Sequence, residues 1–144
     1  MRVNLLTLSA AAALSALAAV GCKKDVESIS NSDYLLGLQH KAWKNARESF
    51  QSGQPQLGEL RTIQRLLCVR TPRRIKKDYQ GSNKQQVLDK VNSIARKYQA
   101  EVASKLDMAG NVVRLAPGVK VEQVKEAFMK LDEEYRQLEA MATE

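Results

Sequence analysis

Thiol and imidazole side chains, the groups that most often bind zinc, are scarce in this sequence. There are two cysteines, Cys22 and Cys68, and one histidine, His40, which has no second ligand at a metal-binding spacing. The sequence also lacks the glycine-rich phosphate loop and the nucleophile-elbow motif. We therefore predict a protein that is not an enzyme and that holds neither a metal ion nor a cofactor.

The sequence contains one compact group of carboxylates, Asp132, Glu133 and Glu134. Consecutive residues fan apart on a helix, so these three side chains do not converge on one substrate atom. Asp132 lies four residues before Arg136, a spacing that favours an ion pair on a helix surface. The group is therefore predicted to form the charged outer face of a helix.

The densest run of charge is basic and spans residues 70–77. Five of its eight residues are cations, namely Arg70, Arg73, Arg74, Lys76 and Lys77. Such a run can bind an acidic surface of a protein partner through arginine–carboxylate contacts. It can also bind anionic lipid headgroups or cell-wall polymers, and each cation near a membrane then contributes about 1 kcal/mol. The third interpretation is a solvated face that partly neutralises the acidic last helix of the same molecule.

Acidic and basic residues are unevenly distributed along the chain. The whole sequence of 144 residues has a formal charge of +7. Residues 122–144 contain seven acids and three bases, whereas residues 22–121 carry a net charge of +10. This asymmetry is compatible with an anionic partner for the basic part of the molecule.

The first 22 residues have the features of an export signal. Arg2 is the only charge before an uncharged run from Val3 to Val20 that is rich in alanine and leucine. A basic start, a short apolar centre and small residues near a cleavage point are typical of a secretory signal peptide. The run is short for a membrane-spanning helix, which needs about 20 predominantly apolar residues.

The segment from Leu17 to Cys22, with the sequence LAAVGC, resembles the lipobox of bacterial lipoproteins, although Ala19 stands where leucine is preferred. The resemblance implies removal of residues 1–21, diacylglycerol on the Cys22 sulfur and acylation of the new amino terminus. An uncleaved anchor helix and a signal cut elsewhere are the alternatives. Lys23 follows the cysteine, where aspartate favours inner-membrane retention in enterobacterial lipoproteins. The resemblance thus implies the outer membrane, facing the periplasm, if the source has two membranes.

Export changes what the basic run is expected to bind. Nucleic acid is the usual partner of such a run in a cytosolic protein, but it is not expected for an exported one. Aromatic residues for base stacking are also not interleaved with the cations. The expected partner is another protein of the cell envelope, and the membrane itself is contacted through the lipid on Cys22.

Hydrophobic periodicity predicts a tether followed by one helical domain. Residues 23–32 are polar and lack periodicity, so residues 22–32 are expected to be a lipidated tether that extends at most roughly 35 Å. Apolar residues spaced by three and four predict helices near residues 33–52, 56–70, 72–80, 83–109 and 121–142. Residues 33–144 are therefore predicted to be an all-α domain, a small bundle of about four helices with an extended segment near 110–118.

Four local features of these helices are also predicted. Trp43 is expected to anchor the core, with a role in an interface as the alternative. Thr71 is expected to cap a new helix after a break, because the residue before a proline avoids helical geometry. Ser82 has a glutamine three residues later, the spacing of a capping box. Cys68 lies on an apolar helix face, so its thiol is expected to be buried.

Apolar residues recur at alternating spacings of three and four through the last predicted helix, from Val121 to Ala142. Three heptads of this kind occur both in a helix packed within a bundle and in a short coiled-coil seam. The packed helix is the preferred interpretation, and a homodimer through residues 121–142 is the alternative.

Overall fold

The structure, a computed structural model, describes residues 31–142, with side chains from residue 36 onward. Cys22, the predicted signal peptide and nearly all of the predicted tether lie outside the described residues. The first helix begins at Asn31, two residues before its predicted start near residue 33. The α-helices are α1 Asn31–Gln51, α2 Leu57–Arg65, α3 Thr71–Asp78, α4 Lys84–Glu101 and α5 Val121–Met141.

Four helical rods make up the described part of the chain. Helix α2, a π-helical turn at Leu66–Arg70 and helix α3 follow one another without a gap, so residues 57–78 are one continuous helical stretch. Helix α1 packs against α2 and α5, α3 packs against α4, and α4 lies along α5. The predicted all-α bundle of about four helices is therefore confirmed.

The core is centred on an aromatic stack. The Trp43 ring is fully buried and lies parallel to the Tyr135 ring, with 4.1 Å between the ring centroids. The Phe128 ring packs against the same indole at a centroid distance of 4.5 Å. Trp43 is therefore the core anchor that the sequence predicts, and it joins helices α1 and α5.

The buried face of α1 differs from the predicted face by one position. The spacing of three and four in the sequence predicts Leu38 on one apolar face with Ala42 and Ala46, but Leu38 is 61% exposed, whereas Leu36 and Gln39 are buried. The buried amide of Gln39 is satisfied by polar partners, because Thr71 Oγ1 donates to Gln39 Oε1 and Gln39 Nε2 donates to the Tyr135 hydroxyl. A polar residue thus occupies the core stripe, and the leucine one position before it faces solvent.

The predicted break at Thr71 is wrong. Thr71 keeps helical geometry, with φ −63° and ψ −46°, and its backbone N–H donates to the carbonyl of Leu66 across five residues. This wider turn carries the helix through Pro72, which has no N–H to donate. Nor does Thr71 cap a new helix, because its hydroxyl bonds to Gln39.

The chain leaves helix α4 earlier than predicted. A 3-10 turn at Ala103–Lys105 follows α4, and strand β1 Leu106–Asp107 then pairs antiparallel with strand β2 Arg114–Leu115. The extended segment near 110–118 therefore contains strand β2. Its partner, strand β1, lies in residues that were predicted to be helical. The Arg61 guanidinium closes the connecting loop by donating to the carbonyls of Met108, Gly110 and Asn111. At the start of α4 the predicted cap by Ser82 is wrong, because Asn83 occupies the cap position.

The apolar seam of helix α5 faces the core of its own chain. Val124, Phe128, Tyr135 and Leu138 are fully buried, and Leu131 is 2% exposed. A homodimer through residues 121–142 stays a prediction, and it would need the outer face of α5 rather than this seam. Within residues 31–142 no helix is both long enough and apolar enough to cross a membrane.

Candidate functional site

Helix α3 presents the predicted basic residues toward solvent. Its inward side is formed by Thr71, Ile75 and, just beyond the helix, Tyr79, which are at most 4% exposed. These residues are four apart, so they lie on one face and direct the intervening side chains outward. The cations of α3 are accordingly exposed, namely Arg73, Arg74, Lys76 and Lys77, and Arg70 at the end of the π-helical turn is exposed as well.

Hydrogen bonds fix both ends of α3 to the bundle. At its start, the Thr71 hydroxyl donates to Gln39 Oε1 at 2.6 Å. At its end, the Tyr79 hydroxyl donates to Asn83 Oδ1 at 2.6 Å, and Asn83 Nδ2 donates to the carbonyl of Met141 at 3.0 Å. The basic side chains therefore project from a helix with a defined position, and a partner would not have to order that helix.

Two acidic residues of α5, Asp132 and Glu134, pair with cations outside the basic run. Glu134 contacts Lys97 at 2.7 Å and Lys90 at 3.6 Å, and these hydrogen bonds and charges lower its carboxyl pKa. Within residues 36–142, no ion pair joins an acidic side chain to Arg70, Arg73, Lys76 or Lys77. Arg70, Arg73, Lys76 and Lys77 are exposed to solvent, and the partial neutralisation of the last helix by the basic run stays a prediction.

A groove of about 420 Å³ lies beside this helix, between α1 and the stretch of α2 that leads into the π-helical turn. Its apolar lining includes Leu38, Ala42 and Leu66, and three cations also line it: Lys41, Arg65 and Arg70. Arg70 is the one residue of the basic run in this lining. We call this feature the basic groove.

The basic groove continues toward helix α3. Leu38, Leu66 and Arg70 also line a small neighbouring cavity, together with Thr71 and Arg74. The π-helical turn supplies both Leu66 and Arg70, and π turns of this kind are frequent at functional sites. The groove and the basic run therefore form one continuous surface, which the linear sequence does not reveal because Leu38 and Lys41 come from a different helix.

The structure does not combine the thiol and the imidazole into a reactive pair. His40 Nδ1 lies 2.7 Å from Glu139 Oε2, which gives the imidazole a carboxylate neighbour. The Cys68 side chain is half-buried rather than buried as predicted, and this burial raises its thiol pKa. A raised pKa keeps the thiol protonated and poorly nucleophilic near neutral pH.

Asp132 is a buried polar residue of the core, although the sequence predicts it on the charged outer face of its helix. Its predicted pair with Arg136 is present at 3.0 Å, but the residue is only 4% exposed. Burial raises the Asp132 pKa, but hydrogen bonds from Arg47, Trp43 and Arg136 outweigh burial and the net pKa is lowered. One signal was available, because Asp132 follows Phe128 by four residues and precedes Tyr135 by three, as a core position would.

No group of three or more potential metal ligands among His, Cys, Asp and Glu occurs in the part of the chain that the structure describes. Comparisons with protein-family models, with curated proteins and with solved structures find no match for this chain. The basic run and the basic groove together form a surface that we call the basic surface. Its geometry and charge are the features from which a function can be inferred.

Proposed function

We propose that this protein is a membrane-anchored lipoprotein of the bacterial envelope whose helical domain binds another envelope protein without catalysis. Acylated Cys22 anchors it, the polar segment after Cys22 tethers it, and the bundle binds. Lys23 favours the outer membrane, facing the periplasm, for a source with two membranes. The resemblance of residues 17–22 to a lipobox supports the anchor.

One observation carries the binding proposal: Arg73, Lys76 and Lys77 are exposed on a helix that is fixed at both ends, and none of these three forms an ion pair with an acidic side chain of residues 36–142. Cations that served only to balance internal charge would lie beside the carboxylates of the same molecule. Two carboxylates of α5, Asp132 and Glu134, are instead paired with Arg47, Lys90 and Lys97. The basic surface therefore offers its charge to another molecule.

The residue types favour a protein partner. Arg70, Arg73 and Arg74 supply guanidinium groups, which form two parallel hydrogen bonds with a carboxylate. The exposed Leu38 lies in the groove beside these cations, so the surface offers an apolar contact as well as charge. Mixed surfaces of this kind, with arginine near an apolar centre, are typical of protein interfaces.

The second candidate function is the binding of anionic lipid or cell-wall polymer through residues 70–77. It is favoured by the cluster of Arg73, Arg74, Lys76 and Lys77 on one short exposed helix. Binding of this type depends on exposed charges, so it weakens steeply as salt screens them. A protein interface with an apolar contact retains more affinity at high salt.

The direct experiment is chemical cross-linking of the tagged protein in cells, with membrane isolation and mass spectrometry of the products. We expect one dominant protein product, lost in Arg73→Glu/Lys77→Glu. The matched control is Lys125→Glu/Lys130→Glu, which makes the same charge change at exposed positions of α5 and should keep the product. If no protein is captured and the chain instead binds sacculi or anionic vesicles in a salt-sensitive manner, the second function replaces the first.

The anchor is tested separately by Cys22→Ala. This change removes the sulfur that would carry the lipid, and we expect the protein to leave the membrane fraction. Cys68→Ala is the matched control, because it removes the other thiol of the sequence and should leave the protein in the membrane fraction. Equal membrane association of both variants would overturn the lipid anchor and leave the binding proposal to the cross-linking result.

A further inference from the structure

The basic groove combines a leucine in solvent with a concave surface. Leu38 is 61% exposed, and it lines the groove together with the apolar side chains of Ala42 and Leu66. A single exposed leucine on a flat surface is ordinary. Here the leucine lies in a groove of about 420 Å³, where one inserted apolar side chain would contact several apolar walls at once.

The charge of the groove is positive. Lys41, Arg65 and Arg70 line it, and within residues 36–142 none of them forms an ion pair. The one acidic lining residue, Glu59, accepts a hydrogen bond from Asn45 Nδ2 at 3.2 Å. Three cations and a single carboxylate therefore line the groove, and an anionic occupant would complement its net positive charge.

We infer that the basic groove binds an acidic peptide segment of the partner protein, which inserts one large apolar side chain between Leu38 and Leu66. Carboxylates on either side of that anchor contact Lys41, Arg65 and Arg70. This inference rests on the proposed function, because it identifies the chemistry of the partner at the same surface. The groove lies next to the start of α3, so one partner can contact both the groove and the basic run.

The shape and the polar walls of the groove favour a peptide over a membrane. A bilayer surface is nearly flat on this scale, so headgroups would reach the exposed cations of α3 but not the groove floor. Asn45 and Thr62 also line the groove, and their polar groups suit the N–H and C=O groups of a peptide backbone. An acyl chain would offer no hydrogen-bond partner to the Thr62 hydroxyl or to the amide oxygen of Asn45, at a free-energy cost.

A peptide selection tests the inference with a defined probe. A random peptide library displayed on phage is selected on the full chain, purified in detergent, and the enriched sequences are read. We expect enriched peptides to carry one large aliphatic or aromatic residue flanked by Asp or Glu. Enrichment of basic or uncharged peptides, or a failure to enrich any peptide, would overturn the inference.

Variants then locate the bound peptide. We expect Leu38→Asp and Arg65→Glu each to weaken binding of the best synthetic peptide by about tenfold, as loss of a central contact does. The matched controls are Val112→Asp, at a valine that is 65% exposed on the β1–β2 loop, and Arg96→Glu, at an exposed arginine of α4. Equal weakening by the control variants would place the peptide outside the groove.

The same variants separate this inference from the proposed function. In the cellular cross-linking experiment, a protein product that survives Leu38→Asp and Arg65→Glu but is lost in Arg73→Glu/Lys77→Glu would overturn the groove while supporting the binding function. Absence of any protein product in the wild type would overturn the proposed function itself. Binding of the variants to anionic vesicles at wild-type strength, with peptide binding lost, is the result expected if the groove recognises peptide alone.

Discussion

The indole N–H of Trp43 donates a hydrogen bond of 2.8 Å to Oδ1 of Asp132, which joins helices α1 and α5 inside the core. The Arg47 guanidinium donates to the same oxygen at 2.7 and 2.9 Å, and Arg136 Nε donates to Oδ2 at 3.0 Å. The Trp43 ring also stacks on Tyr135 of α5. One aromatic stack and one shared carboxylate therefore hold helices α1 and α5 together. These two helices support the elements that carry the basic surface.

Asp132→Asn should strongly destabilise the fold. The change removes the negative charge opposite Arg47, which is itself only 14% exposed, so a buried cation is left uncompensated. Breaking such a pair costs about 3 kcal/mol or more of the free energy of unfolding. Urea denaturation followed by circular dichroism measures this loss. Glu133→Gln removes an exposed carboxylate one residue away and should change the stability little, so equal effects of the two variants would contradict the assigned role of Asp132.

The stability of the fold should decrease in acid through Asp132 and Glu134. Both carboxyl groups have pKa values that are lowered in the folded protein from 3.8 and 4.5 respectively. Their stabilising contribution is therefore present above these ordinary values and is lost as the pH falls through the lower folded pKa values. Denaturation at a series of pH values below about 5 should show the wild type losing stability more steeply than Asp132→Asn. Parallel pH dependences of the two proteins would contradict this account.

Thr71→Val should loosen the start of helix α3. The change keeps the side-chain shape but removes the hydroxyl that donates to Gln39 Oε1, so a buried amide oxygen loses its donor. An unsatisfied buried group of this kind costs about 1–3 kcal/mol. Thermal unfolding measures the loss, and Thr62→Val at an exposed position serves as the control. A Thr71→Val protein as stable as the control would show that this hydrogen bond does not hold α3.

The Cys68 thiol should react slowly with alkylating reagents in the folded protein. Burial raises its pKa from 9.0, so the reactive thiolate is rarer than in an ordinary cysteine at the same pH. In a Cys22→Ser background, the rate of iodoacetamide modification should rise with pH and reach its midpoint above pH 9. The urea-unfolded protein supplies the reference rate. A folded-state midpoint below the unfolded one would contradict the burial of the thiol.

The helices are predictable from the sequence where the apolar spacing is uninterrupted. Helix α5 ends at Met141, one residue from the predicted end, because its spacing of three and four holds throughout. The end of α4 is not predictable in this way. Val102 and Leu106 have helical spacing and are both buried, but helix α4 ends at Glu101, before both of them. Over so few residues, a buried turn and strand produce the same apolar pattern as a helix.

The candidate site was only partly predictable. The basic run is contiguous in the sequence, so its five cations could be selected directly. The basic groove depends on how α1 packs against α2. Leu38 has the spacing of a core residue in the sequence, but the structure exposes it and buries the polar Gln39 next to it. The burial of Asp132 likewise depends on Arg47, which is 85 residues away in the chain. The pairing of Asp132 with Arg47 leaves no local pattern, although the spacing of Asp132 from Phe128 and Tyr135 is that of a core position.

Site-specific photo-cross-linking in cells tests the central claim, that the surface of the basic run and the groove binds a protein partner. A benzophenone amino acid is placed at Leu38 or Arg73 on this surface, and at Val112 or Glu133 as exposed controls elsewhere. We predict that Leu38 and Arg73 capture the same envelope protein and that the control positions do not. Capture of that protein from Val112 and Glu133 but not from Leu38 and Arg73, or no capture from Leu38 and Arg73, would contradict the claim.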